Sequence, residues 1–149
     1  MLRIELLAWD AARAFAAPIR FAVFVDEQRV PAEIELDDQD AASLHAIARD
    51  AQSVALGTGR LLPTAKEAGR KVSHIGRMAV LRDARGRGVG AALLNALVEA
   101  ARARGDEEIV LSAQVSAEGF YRGRGFIAEG AVYAEAGIAH RDMRLRLRD

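Results

Sequence analysis

Cysteine is absent from the 149-residue sequence. That absence excludes a disulfide scaffold, a Cys zinc site, an iron–sulfur cluster and a thiol nucleophile. An excess of either charge is also missing: 21 basic residues balance 21 acidic ones. A dedicated DNA or RNA binder carries a basic surplus, so no nucleic-acid partner is expected. No apolar run approaches the ~20 residues of a membrane helix. The N-terminal residues Met1 to Leu6 lack the layout of a secretory signal. There is no H-E-x-x-H spacing for a metal and no Gly-x-Ser-x-Gly nucleophile elbow. What is present is a chain 51% apolar and 28% charged, enough for a core and too apolar for disorder. A soluble, cytoplasmic protein with one domain over residues 1–149 is expected.

Residues 2–7 read as a first strand, and Asp10 is placed to cap an Ala-rich helix behind it. Pro18 falls inside that helical pattern, so a break or a restart is predicted there, with the second part running to Gln28. Residues 33–40 are acidic and read as a loop. Residues 44–49 and 54–62 read as a hairpin around Asp50-Ala51-Gln52-Ser53. A loop over 63–69 and a longer strand over 71–81 follow. Residues 88–104 give the strongest helix, with Val89, Leu93, Leu97 and Ala100 at helical spacing and Gly105 suited to its C-terminal cap. A strand over 109–114, a short helix over 116–124 and two closing strands over 126–133 and 138–148 complete the chain. In the last strand Met143, Leu145 and Leu147 alternate with arginines, which predicts one buried and one wet face. The order is β-α, a run of antiparallel-type strands, then β-α-β-α-β-β. It describes an α/β fold with a mixed sheet (α+β in character) rather than a regular βαβ repeat.

The most informative segment is Arg85-Gly86-Arg87-Gly88-Val89-Gly90-Ala91, after a strand and at the start of the best helix. A helix start offers unpaired N–H groups and a positive dipole end, which favour an anion. Glycines let a phosphate approach the backbone, and arginines add charge and donors. A pyrophosphate fits this pattern; a tight surface turn with incidental arginines is the plain alternative. A Walker loop is excluded because Gly-Lys-Ser/Thr is missing. A Rossmann fingerprint is disfavoured because Asp106, Glu107 and Glu108 precede the next strand instead of ending it.

These residues resemble the signature Arg/Gln-x-x-Gly-x-Gly/Ala of the GNAT superfamily of acyl-CoA N-acyltransferases. Ile75-Gly76-Arg77-Met78-Ala79-Val80-Leu81 resembles that family's pantetheine-pairing strand, and Phe120-Tyr121-Arg122-Gly123-Arg124-Gly125-Phe126 its Tyr-x-x-x-Gly-Phe segment. Within it, Val23 to Gln28, Asp37-Asp38-Gln39-Asp40, His45, residues 57–61 and residues 136–140 are similar to the ElaA-like acyltransferases. The resemblance covers nearly the whole chain. It implies a central, twisted, mostly antiparallel sheet flanked by helices, acetyl-CoA as co-substrate, and no metal. The acceptor is then a primary amine of a small molecule or peptide that attacks the thioester directly. A non-catalytic acyl-CoA-binding sensor is the alternative, and a structural domain without a CoA site is a second. Open sheet edges also admit a homodimer.

By the same resemblance, backbone N–H groups over Arg85, Gly86, Arg87, Gly88, Val89, Gly90 and Ala91 hold the pyrophosphate. Met78, Ala79 and Val80 pair with pantetheine as an added strand. The Val80 N–H faces the thioester carbonyl and stabilises the developing oxyanion. Gln114 stands where many members carry Asn and reaches for a pantetheine amide. Tyr121 is the candidate general acid for the leaving thiolate, or else an aromatic packing residue beside Phe120 and Phe126. Glu27 is the candidate general base, or else a solvated helix-end acid. Glu33, Glu35 and Asp37 offer an acidic strip to a cationic amine or form a wet edge, and composition favours the wet edge. Of the three histidines, His45 and His140 rank above His74 as proton carriers, because they fall in the ElaA-like segments.

Overall fold

Among the described residues all the strands join one sheet, in which the chain's first, second, third, fifth, sixth, eighth and seventh strands lie side by side in that order and the fourth pairs with the fifth off that path. The computed structural model describes residues 1–148. β1 (Arg3–Ala8) leads into α1 (Trp9–Arg20), a widened π-helical stretch (Phe21–Glu27), α2 (Ala32–Glu35) and a 3-10 turn (Asp40–Ala42). Then come β2 (Leu44–Arg49), β3 (Ala55–Leu61), β4 (Ala65–Glu67), β5 (Arg70–Val80) and a 3-10 turn (Arg82–Ala84). The second half runs α3 (Val89–Ala103), β6 (Glu108–Gln114), α4 (Glu118–Arg122), β7 (Ile127–Glu135) and β8 (Ile138–Arg146). Every strand pair is antiparallel except β5 with β6. This is the mixed, mostly antiparallel sheet that the sequence predicts.

Three local expectations are corrected. The helix does not break at Pro18. Proline removes one ladder donor, and the chain absorbs the misfit a turn later by widening, so that the Gln28 N–H reaches the Val23 carbonyl at 3.0 Å. The acidic segment 33–40 contains α2 and a 3-10 turn instead of a plain loop. Residues 65–67 form a short strand on β5 where a loop was expected.

The larger core lies under α3. Leu93, Leu94 and Leu97 are fully buried against Leu61, Ile75, Ile109 and Met143. The helical spacing of the leucines puts them on one face, as predicted. In β8 Met143 is fully buried, and Leu145, with Leu147 just past the strand end, packs on the same core. α1 covers the other face, with Ala12 and Ala16 against Ile47. The sheet is therefore sandwiched, with α1 and α2 on one side and α3 and α4 on the other.

Candidate active site

β5 and β6 run together only as far as Ile75 and Leu111. Beyond that point β6 continues with β8 to the Gln114–His140 pair, while β5 bends away. The bend is a bulge: Thr58 faces Ala79 but Arg60 faces Gly76, so Arg77 and Met78 stand against Gly59 alone. Arg77 is the pivot, with φ at 52°. Two strand edges thus part inside the sheet. The Leu81 N–H donates to the Leu56 carbonyl at 2.9 Å. Strand alternation then turns the Val80 N–H and carbonyl the other way, into the gap.

A cavity of about 770 Å³ occupies the gap, with Met78 in its wall. It is walled from both sides of the sheet. Leu111, Ala117 and Tyr121 belong to the side packed on α3, while Ser112, Gln114 and His140 belong to the α1 side. Gln114 donates through Nε2 to the Gln28 Oε1 at 2.9 Å, so its side-chain amide is tied to the end of the π stretch.

The glycine turn abuts this gap. The Ala92 N–H makes a helical bond to the Gly88 carbonyl at 3.1 Å, so the N–H groups of Val89, Gly90 and Ala91 precede the α3 ladder. Gly88 caps the helix at φ 78°, a left-handed geometry suited to glycine, and a Cβ there would meet nothing within 4 Å. The approach to the turn is therefore open. A Cβ on Gly90 would lie 3.7 Å from Phe120 and 3.9 Å from Val80. Turn, β5 edge and α4 thus converge at one point.

Tyr121 is buried to 9% exposure, in edge-on contact with Phe120 at 5.1 Å and Phe126 at 5.9 Å. Its ring is part of the core while it also lines the cavity. Burial pushes its phenol up to about 12, so it keeps its proton at neutral pH.

Arg85 and Glu27 are committed to each other. The guanidinium donates to both Glu27 oxygens, at 2.6 and 2.7 Å, and its Nε donates to the Val80 carbonyl at 3.0 Å. Arg85 therefore braces the Val80 peptide instead of standing free for an anion. Arg87 donates to the Asp83 carbonyl at 2.7 Å. The bond from Arg85 holds the Glu27 carboxyl below the usual range. Glu27 lines a separate hollow of about 600 Å³ with Arg82 and Arg87, and not the wall that holds Tyr121. A carboxylate paired in this way is a weak proton acceptor.

The acidic strip is also corrected. Only Glu33 of its three members is exposed and outside the ion pairs that follow. Glu35 pairs with Arg20, and Asp37 bonds Arg60 at 2.9 and 3.0 Å and Arg77 at 3.2 Å. Asp40 joins them, bonding Arg20 at 2.8 and 3.1 Å and Arg60 at 3.0 Å. Sequence reasoning did not find this network, nor Ser112 and Glu135 in the cavity wall. The alternation of β6 carries Ser112 to the face of Gln114 and is the signal that could have found it. Among the described residues, no cluster of His, Asp and Glu could hold a metal ion.

A model of the acetyltransferase (GNAT) domain matches residues 14–147. The chain belongs to the GNAT acetyltransferase family. This GNAT domain is 35% identical to the uncharacterized N-acetyltransferase YjcF of Bacillus subtilis over 126 residues, 84% of this chain and 86% of that one. It superposes on an acyl-CoA N-acyltransferase from Pseudomonas aeruginosa with a TM-score of 0.83 and 30% identity, covering 97% and 99% of the two chains. Escherichia coli ElaA gives a TM-score of 0.85 at 26% identity, covering 98% of this GNAT chain and 100% of ElaA. The protein is an acyltransferase of this fold.

Proposed function

We propose that this GNAT domain, working as one unit over residues 1–149, moves an acetyl group from acetyl-CoA to a primary amine of a small molecule or peptide. The observation that carries the reading is the gap between β5 and β6, bounded by an open glycine turn and by the inward-facing Val80 N–H. Acetyl-CoA supplies an activated thioester. The N–H groups of Gly86, Arg87, Gly88, Val89, Gly90 and Ala91 receive the pyrophosphate, as the open turn allows. Met78, Ala79 and Val80 offer a strand edge to the pantetheine amides. The Val80 N–H, held by Arg85 through the adjoining carbonyl, is oriented toward charge developing on the carbonyl oxygen. The Tyr121 hydroxyl, protonated at neutral pH, donates to the departing sulfur. The Gln114 side chain, already bonded to Gln28, closes the far wall. The setting proposed is cytoplasmic; exposed Ile127 and Val132 on the β7 edge support a homodimer across it, which sedimentation velocity tests.

Titration calorimetry with acetyl-CoA, CoA and NADH tests the donor. Both CoA compounds should bind and NADH should not. Arg87→Glu, which reverses charge at an exposed turn position, should weaken CoA binding at least tenfold. Gly88→Glu should abolish it, with circular dichroism checking that the strained glycine position still folds. A folded wild-type protein without CoA affinity overturns the proposal.

A further inference from the structure

Resting on that acyltransfer reading, we propose that His140 is the catalytic base that takes the proton from the acceptor ammonium. Nε2 is the receiving atom, and Glu135 stabilises the charged ring.

The tautomer is fixed by the main chain. Nδ1 lies 2.7 Å from the Ile138 carbonyl oxygen, which can only accept, so Nδ1 carries a proton. In the neutral ring Nε2 is left bare. That atom lies 3.6 Å from Glu135 Oε2, and both residues line the cavity. The ring is almost buried, at 8% exposure, and stacks on Tyr133 at a centroid distance of 6.2 Å. Its orientation is thus held by the Ile138 carbonyl and the Tyr133 ring.

Position completes the case. His140 is paired across the ladder with Gln114, which puts it on the α1 side of the sheet. Tyr121 enters the same cavity from the α3 side. The amine adds to one face of the planar thioester and the sulfur departs from within that plane, so a base and an acid that enter the cavity from different sides suit the reaction. The other candidates have closer partners. Glu27 is held by Arg85. His45 donates from Nε2 to the Asp40 carbonyl at 2.9 Å and packs on Trp9. His74 lines the same cavity, but its Nε2 lies 2.7 Å from Glu67 on β4.

The step balances as follows. The ammonium gives one proton to His140 Nε2, and the freed nitrogen pair bonds the thioester carbonyl carbon. The C–S bond breaks with its electrons on sulfur, which takes the Tyr121 proton. The phenolate recovers a proton from the newly acylated nitrogen, and the imidazolium releases its own to water. The charged and titratable groups that line the cavity with His140 are Glu135, Tyr121, His74 and the mutually paired Glu35, Asp37, Arg60 and Arg77. Tyr133, which stacks on the ring, is bonded to Asp142 at 2.6 Å.

The test has two arms. Nitrogen-15 NMR of the free protein should show neutral His140 as the Nδ1–H form; an Nε2–H form overturns the proposal. Thiol release from acetyl-CoA is then followed at neutral pH with a panel of alkyl diamines, polyamines and amino-acid amides. His140→Gln should lower kcat about 100-fold, with acetyl-CoA affinity unchanged. Glu135→Gln, at an exposed edge that spares the fold, should lower kcat several-fold with acetyl-CoA affinity again unchanged, because the imidazolium loses its counter-charge. Unchanged kcat in both variants overturns the proposal. Absence of acetyl-CoA binding by the wild type overturns the acyltransfer reading instead, and the NMR arm still decides whether His140 is a bare-Nε2 ring.

Discussion

A single oxygen separates the two roles open to Tyr121. Its ring fills core space between Phe120 and Phe126, which phenylalanine would fill equally well. Tyr121→Phe should therefore leave the thermal midpoint within a few degrees and the acetyl-CoA dissociation constant unchanged. If the hydroxyl donates to the departing sulfur, kcat should fall about 100-fold, the usual scale for one acid–base group. Pre-steady-state thiol release measures this directly, and an unaltered rate removes the acid role. The elevated phenol of about 12 makes it a firm hydrogen-bond donor rather than a strong acid. Its full proton transfer is favourable only as the acylated nitrogen sheds its second proton. The residue was visible in the sequence because Tyr-x-x-x-Gly-Phe is a local pattern. His140 was visible only as one of two histidines in the ElaA-like segments, since its tautomer depends on a carbonyl two positions away and its placement on a strand pairing with residue 114.

At the scale of elements, the bulge in β5 decides where the sheet opens. Arg77 holds a left-handed conformation there and also donates to the Glu35 carbonyl at 3.0 Å and to Asp37 at 3.2 Å. Two substitutions separate backbone strain from side-chain bonding. Arg77→Ala loses the contacts and keeps the strain. Arg77→Gly loses the same contacts but relieves a strain of about 1–2 kcal/mol, partly offset by a glycine entropy cost of about 0.5–1 kcal/mol. Chemical denaturation should therefore rank the glycine variant about 0.5–1 kcal/mol above the alanine variant. The reverse order would mean that the bulge stores no strain. Helix α3 and its turn were legible because their signal is local: helical leucine spacing, glycines at the start and basic residues at the end. The bulge was not legible. Nothing in Gly76-Arg77-Met78 marks a register change, which goes with Met78 of β5 and Leu97 of α3 closing over Gly59, where a Cβ would meet both side chains. Continuation past Pro18 was hidden for a related reason, since the buried contacts of Ile19 and Val23 outweigh one lost hydrogen bond.

At the scale of the whole molecule, ion pairs tie distant segments together. Bonds from Arg20, Arg60 and Arg77 join residues 15 to 43 positions apart, so no window of sequence displays them. They fasten the α2 segment, one wall of the cavity, to α1 and the sheet. Burial works against the charge on Asp40 and Asp37, but hydrogen bonds from Arg20 and Arg60 to Asp40, and from Arg60 to Asp37, outweigh it and hold both carboxyls below their ordinary range. The sign of the pH effect follows. A carboxyl with a lowered folded-state value stabilises the fold above its unfolded value, near about 4, and loses that contribution as pH falls through the folded value. The thermal midpoint should be nearly flat from neutral pH to about 5 and drop below about 4. Asp40→Asn isolates the network. It leaves Arg20 and Arg60 buried with one fewer counter-charge, at a cost of about 3 kcal/mol at neutral pH. Because protonation removes the same charge from the wild type, the gap between the two proteins should narrow steadily as pH falls toward 3. Calorimetric scans at each pH measure that gap. A gap of constant size would show that Asp40 acts through shape and neutral hydrogen bonding. A closing gap would show that the wall of the cavity is held by charge.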